Sequence, residues 1–177
     1  KLDFSTEGEL VSGEGVIKRL DLAGQLIQEA GFSASGSLQK HTLGLRVVHD
    51  IASVETALSG GWSEERWQGS MDQLDIREEH TGQWSLEAPV DLTASASQVR
   101  TGELCLKNAE ANACTNAEWD IDTGIRSAGK GTNLQLAMLD SLLPESVRLS
   151  GTIGFDYDLE QTGELPSAKA KVAWSAG

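Results

Sequence analysis

Apolar and polar residues alternate at every second position along much of this chain. The clearest stretch, VRLSGTIGFDYDL at 147–159, has apolar residues at 147, 149, 153, 155, 157 and 159 and polar residues between them. Side chains of a strand point alternately to opposite faces, so a period of two predicts a strand with one apolar and one wet face. Weaker copies of the pattern occur near 19–26, 42–47, 84–94 and 168–174. The chain is therefore predicted to be all-β, with many similar antiparallel strands.

Two short repeats punctuate these strands. One is L-x-G-x-apolar, at 22–26, 58–62 and 149–153, and the other is T-G-[EQ]-apolar, at 81–84, 101–104 and 162–165. Glycine inside a strand usually marks a bulge or a bend, whereas in the second repeat it fits a turn that opens a strand. Because the spacing is irregular, we predict a meander rather than a solenoid of fixed period.

One segment, TNLQLAMLDSLLPES, breaks the alternation. Leu134, Met138 and Leu142 are spaced by four residues, as on one face of a helix. Thr132 or Asn133 can cap its start and Pro144 can end it. We predict a short helix at about 134–143 that plugs an open end of the sheet or covers an edge strand.

The charge balance narrows the possible partners. The chain has 14 basic and 27 acidic residues and a net charge of −13. A nucleic-acid ligand is excluded because binding it requires a basic surface, and docking by charge on an anionic membrane is disfavoured for the same reason. No apolar run approaches the roughly 20 residues that span a bilayer. The start KLDFSTEGE is not a signal peptide. Because the sequence starts within a strand-like pattern and stops at AWSAG, residues 1–177 are expected to be a single β-groove segment of a longer, repeat-like protein.

Two stretches imitate catalytic motifs. GIRSAGKGT at 124–132 resembles a phosphate-binding loop, but Gly131 stands where a Ser or Thr would bind magnesium, and a hairpin loop is the favoured interpretation. WDIDTG at 119–124 contains the Asp-Thr-Gly triplet of aspartic proteases, whose chemistry needs two carboxylates, so a second copy of the chain would have to supply the other. His41, His49 and His80 form no metal-binding or triad signature. We predict no enzyme activity, no cofactor and no metal.

The two cysteines, Cys105 and Cys114, are separated by eight residues. Zinc sites need closer pairs with further ligands, and redox pairs need C-x-x-C. Two strands joined by the loop KNAEANA would bring the sulfur atoms together, so we predict a disulfide that contributes about 2–3 kcal/mol. A disulfide implies an oxidising compartment such as the periplasm. Cys105 is expected to point away from the side on which Leu104 and Leu106 lie.

The order of these features resembles one family. LCLKNAEANAC is followed by EW, by LAMLDSLLP and by VRLSGTI, as in the TamB family, the periplasmic subunit of the translocation and assembly module of Gram-negative bacteria, within the AsmA-like group. The resemblance is most specific over 101–165 and extends upstream through IKRLDLAGQL, GGWSEERWQG and GQWSLEAPVDL.

The resemblance implies a periplasmic protein anchored in the inner membrane and a bridge-type lipid carrier. In such carriers the strands curl into an open, U-shaped trough with an apolar concave face, similar to a β-taco, that holds phospholipid acyl chains. The implied partner of the full-length protein is the outer-membrane barrel subunit TamA. The family contributes no catalytic residues, and this chain is expected to be an internal segment. Alternation alone also fits the interior of a sandwich or closed barrel.

We therefore predict a periplasmic groove for phospholipid passage that supports outer-membrane assembly. The alternative is a chaperone-like module that guides β-barrel or autotransporter proteins by strand addition. The predicted groove-covering helix carries Leu134, Met138 and Leu142. The predicted groove lining is Leu20, Leu22, Leu26, Leu43, Leu45, Val47, Val147, Leu149, Ile153, Phe155, Tyr157 and Leu159.

Overall fold

The computed structural model describes residues 2–7, 10–22, 25–142, 144, 146–162 and 166–175. These residues form fourteen strands and one short 3-10 helix, Leu136–Leu142. The strands are β1 (Leu2–Glu7), β2 (Leu10–Leu22), β3 (Gln25–Gly36), β4 (His41–His49), β5 (Ala52–Ser63), β6 (Arg66–Glu78), β7 (Gly82–Leu86), β8 (Val90–Ala94), β9 (Gln98–Thr101), β10 (Leu104–Asn108), β11 (Ala111–Asp120), β12 (Gly124–Gln135), β13 (Thr152–Gln161) and β14 (Ser167–Ser175).

The strands form one antiparallel sheet in nearly the order of the chain. The main path runs β1-β2-β3-β4-β5-β6-β7-β10-β11-β12-β13-β14. β7 and β8 both pair with β6, and β9 and β10 both pair with β11, so each of these pairs fills one strand position. Within the described residues β1 and β14 are the two edges of the sheet. The sheet is an open trough, as the resemblance to the TamB family implied.

Irregularities occur in three neighbouring strand positions of the sheet. Asp72 is an extra residue of β6, between the pairs that Gln73 and Met71 make with β5. In the neighbouring strand position the chain is not paired between β7 and β8, where Pro89 lies. In the position after that, it is not paired at Gly102, between β9 and β10. Gly102 N–H donates to the carbonyl of Asp91 at 2.8 Å, so the two breaks are adjacent. Bulges bend a strand and increase its twist, and proline cannot donate to the ladder.

The predicted helix at 134–143 is wrong at its start and in its type. β12 continues to Gln135, and Leu134 pairs with Ile153 of β13. Leu136 N–H donates to the carbonyl of Gly151 at 3.0 Å, and a 3-10 turn of seven residues follows. β13 therefore holds Leu134 in the sheet, although its spacing to Met138 suits a helix.

The predicted strand at 147–159 is shorter than the alternation suggested. β13 begins at Thr152, after Gly151, whose φ of 100° lies in the left-handed region and interrupts an extended chain. Val147 and Leu149 precede this break and lie in the connection from the 3-10 helix. Val147 N–H donates to the carbonyl of Pro144 at 2.8 Å, which forms a turn.

Few apolar side chains are fully buried. In the described part of the chain the buried apolar residues are Val90, Ala111 and Cys114, all in the central strands, and each keeps a few per cent of its surface exposed. The described strands belong to a single sheet, so no second sheet seals the apolar side chains as it would in a sandwich. The apolar residues that alternate along the strands are therefore largely open to solvent.

Candidate functional site

The strand register places apolar side chains in rows on one face of the sheet. Directly paired residues of antiparallel strands point to the same side. Leu43 pairs with Leu58, Leu58 with Met71, and Met71 with Val90, across four strands. Two rows further along the same face lie Ile17, Ala30, Val47, Val54, Ile76 and Trp84. We call this side of the sheet, defined by Leu43, Leu45, Val47 and the residues in register with them, the apolar face.

The apolar face continues to the last strand. Leu86 pairs with Leu106, and the register then runs through Ala113, Gly131 and Phe155 to Val172 of β14. Neighbouring strands lie about 4.8 Å apart, so the twelve strand positions give the face a length of roughly 50 Å. The apolar face thus lines the trough from one edge region to the other, and we call the space above it the groove.

The exposure of the side chains on the apolar face distinguishes a groove from a core. Leu45 is 47% exposed, Ile17 49% and Val172 56%. Isolated exposed leucines are ordinary, but a continuous apolar surface that remains accessible usually marks a binding site.

The opposite side of the sheet, which we call the polar face, carries charged pairs between strands. Arg100 lies 2.7 Å from Glu118, and Arg126 lies 3.0 Å from Glu160. Two clefts include residues of this side. One, of about 490 Å³, has both Glu29 and Leu45 in its lining, and the other, of about 1080 Å³, has hydroxyl groups of several strands together with Trp62. Both linings mix polar and apolar residues, whereas the apolar face presents rows of paired apolar side chains across the sheet, so the apolar face is the candidate site.

All five tryptophans of the chain lie on the apolar face. The register aligns Trp62 with Trp67, and continues through Ala94 and Val99 to Trp119. Trp84 pairs with Ile76, and Trp174 pairs with Ile153. The predicted lining omitted the tryptophans, although the alternation at Trp84, Trp119 and Trp174 could have identified three of them.

Two aromatic rings lie across glycines and bond to groups two strands away. Trp67 Nε1–H donates to Nε2 of His41 at 2.8 Å, and a Cβ atom on the intervening Gly60 would lie 2.5 Å from the Trp67 ring. The hydroxyl of Tyr157 lies 2.5 Å from that of Thr115, and a Cβ on the intervening Gly129 would lie 2.5 Å from the tyrosine ring. The glycines let both rings lie flat against the floor of the groove.

The structure divides the predicted lining residues into groups. Those that share the apolar face are Leu43, Leu45, Val47, Ile153, Phe155, Tyr157 and Leu159. Leu20 pairs with Ile27, which is in register with His49, two positions from Val47, so Leu20 also lies on the apolar face.

Leu26 does not join this group. It pairs with Asp21 and is adjacent to Ile27 in β3, so it lies on the opposite side of the sheet. The prediction that Leu20 and Leu26 line one face is therefore wrong, because the register of β2 and β3 pairs Leu20 with Ile27 and not with Leu26. Val147 and Leu149 lie outside the strands, and the side chains of Leu22 and Leu142 lie outside the described residues.

The cysteines form the predicted disulfide. Cys105 and Cys114 are directly paired in β10 and β11, on the polar face, because Leu104 and Leu106 point to the apolar face. Glu103 lies near the two sulfur atoms, but both sulfurs are bonded to each other and offer no thiolate to a metal.

The two stretches that imitate catalytic motifs are ordinary sheet elements. Lys130 and the glycines beside it lie inside β12, paired with β11 and β13, and not in the predicted hairpin loop. The Asp-Thr-Gly triplet forms the turn between β11 and β12. Asp120 accepts hydrogen bonds from the N–H groups of Thr123 and Asp122, each at 3.0 Å, and these bonds lower the pKa of its carboxyl.

The chain was compared with models of protein families and with solved structures. The family model described as TamB, N-terminal domain, matches residues 14–177. No solved structure matches this chain.

Proposed function

This chain belongs to the TamB family, and we propose that its groove carries phospholipid acyl chains between the inner and outer membranes. The family is bacterial and membrane-associated, and its role lies in outer-membrane assembly and in the transport of lipid or protein. The proposal specifies the cargo of this segment.

The observation that supports the proposal most strongly is the one-sided apolar surface. It extends over most of the sheet in rows of paired apolar residues, and its side chains remain accessible. A CH₂ group removed from water gains about 0.8 kcal/mol, so an apolar groove can offset most of the free energy that an acyl chain would lose by leaving a bilayer for water. A lining of Leu, Val and Ile offers no fixed polar anchor for a headgroup. An acyl chain would be held loosely on such a lining and would slide along it.

The compartment and partner belong to the same proposal. The disulfide between Cys105 and Cys114 supports an oxidising space such as the periplasm. The family is associated with TamA, so we place this segment on the route toward that outer-membrane subunit. In the described part of the chain, helices that could cross a bilayer are absent.

Two adjacent valines test the proposal with a matched control. Val47 points to the apolar face through its pair with Val54, whereas Val48 pairs with Ser53 on the polar face. Val47→Arg places a charge in the groove, and Val48→Arg places the same charge outside it. In the full-length protein, Val47→Arg and Ile153→Arg should stop lipid passage and impair the outer-membrane barrier, and Val48→Arg should not. An intact barrier in both groove variants would reject the proposal.

A second candidate function rests on the edge strand β14. All nine of its residues are exposed, and in the described residues it pairs with β13 alone, so a client polypeptide could add as a further strand. Photo-crosslinkers on β14 and at Ile153 separate the candidates. Lipid captured at Ile153 supports passage, and client polypeptide captured on β14 supports the chaperone-like role.

A further inference from the structure

Several polar groups on the apolar face form hydrogen bonds within the protein. Thr56 Oγ1 donates to the carbonyl of Gln73 at 2.9 Å, and Thr101 Oγ1 accepts the N–H of Ala117 at 2.9 Å. His41 uses both ring nitrogens, since Nδ1 lies 3.0 Å from the carbonyl of Ser37 and Nε2 accepts from Trp67. These bonds suit a face that must contact hydrocarbon, where an unpaired polar group is costly.

The hydrogen bond from Trp67 determines which ring nitrogen of His41 carries the proton. Nε2 of His41 accepts the indole proton, so the proton of the neutral ring is on Nδ1 and donates to Ser37. The indole N–H is thereby satisfied without water, although Trp67 points into the groove. We call the Trp67–His41 bond the first clamp.

The tyrosine makes an equivalent arrangement in the other half of the sheet. Its hydroxyl lies 2.5 Å from Thr115 Oγ1 and 3.0 Å from Ser127 Oγ, and all three residues are on the apolar face. Ser127 is also 2.9 Å from the carbonyl of Asn116, so its own donor remains satisfied. We call the bonds of Tyr157 to Thr115 and Ser127 the second clamp.

We propose that the two clamps determine the specificity of the groove. They hold the rings of Trp67 and Tyr157 flat against its floor and pair their polar groups, so that the floor presents an apolar surface to hydrocarbon. This inference rests on the proposed function and narrows its cargo to acyl chains that lie directly on the floor. If the acceptor of a clamp is removed, the donor group of Trp67 or Tyr157 remains without a partner next to the acyl chain. The ring is then also free to move away from Gly60 or Gly129 into the groove. The lipid then meets an unpaired polar group and a narrower passage.

The test is a rescue experiment in the full-length protein, with a photo-crosslinker at Leu45 that captures phospholipid. His41→Leu strands the indole N–H of Trp67 and should reduce lipid capture about tenfold, the effect of one unpaired buried donor. Adding Trp67→Phe to His41→Leu removes the stranded donor and should restore capture to within about twofold of the wild type. His80→Leu, in the exposed turn after β6, is the matched control and should leave capture unchanged.

The second clamp allows the same rescue experiment to be done independently. Thr115→Val with Ser127→Ala strands the hydroxyl of Tyr157, and adding Tyr157→Phe removes that hydroxyl. Urea unfolding shows whether each variant folds, and if His41→Leu does not fold, the second clamp decides the outcome. A loss of capture that the Phe substitution fails to rescue would overturn the inference, as would wild-type capture in both stranded variants. If the wild type itself captures no lipid, the proposed function fails instead.

Discussion

The Cα atoms of Cys105 and Cys114 lie 4.0 Å apart, because the two residues face each other directly in β10 and β11. Their disulfide closes a hairpin whose loop is only a few residues long, on the side of the sheet away from the groove. It can therefore stabilise the sheet without contacting the cargo.

We predict that the double variant Cys105→Ala, Cys114→Ala has a free energy of unfolding lower by about 2–3 kcal/mol, because the unfolded chain loses its crosslink. Urea unfolding with and without reductant measures this. Under reducing conditions the free energy of unfolding of the wild type should fall to that of the variant, and the free energy of unfolding of the variant should not change. Equal midpoints of the oxidised wild type and the variant would contradict the prediction.

A second prediction concerns the turn that precedes β12. Gly124 has a φ of 85°, and a Cβ atom there would lie 1.8 Å from the carbonyl oxygen of Gln161. Gly124→Ala should therefore cost about 2 kcal/mol or more of stability. Gly31→Ala is the matched control, since its Cβ would meet its nearest atom at 3.8 Å, an ordinary contact. Comparable urea midpoints for the two variants would show that the turn is not constrained as described.

The third prediction is a pH dependence that arises at Asp120. The N–H groups of Thr123 and Asp122 lower the pKa of its carboxyl below the ordinary value of 3.8. A carboxyl whose pKa falls on folding stabilises the native state above the unfolded-state pKa, and this stabilisation is lost as pH falls through the folded-state pKa. Asp120→Asn keeps an acceptor oxygen but cannot titrate.

The loss of stability between pH 7 and pH 3, measured by urea unfolding, should therefore be smaller in Asp120→Asn than in the wild type. Asp120→Ala removes the acceptor and should be less stable than Asp120→Asn at pH 7. An identical acid response of the wild type and Asp120→Asn would exclude this carboxyl as a contributor.

The sequence was most informative where alternation is uninterrupted. Leu43, Leu45 and Val47 share a face because a strand allows no other arrangement, and the same holds for 153–159. The resemblance to the TamB family, based mainly on the cysteine pair and the motifs after it, is confirmed by the family match.

The sequence was least informative where strands meet. Alternation assigns each residue to one of two faces but does not say which residue of the next strand it pairs with, so the rows of the apolar face and the contact of Trp67 with His41 were not predictable. Leu134 satisfies both a helical and an extended spacing, and the long-range pairing with Ile153 decided between them. Val147 was misplaced because the effect of Gly151 depends on its φ, which composition does not reveal.

The central claim is that the apolar face, and not the opposite one, contacts lipid. Leu45 and Arg46 are adjacent in β4, both are exposed, and they point to opposite faces, toward Thr56 and Glu55 of β5. A photo-crosslinker at each position of the full-length protein, activated in living cells, tests the claim most directly. The account predicts that phospholipid is captured at position 45 and not at position 46. Equal capture at both positions, or none at 45, would contradict it.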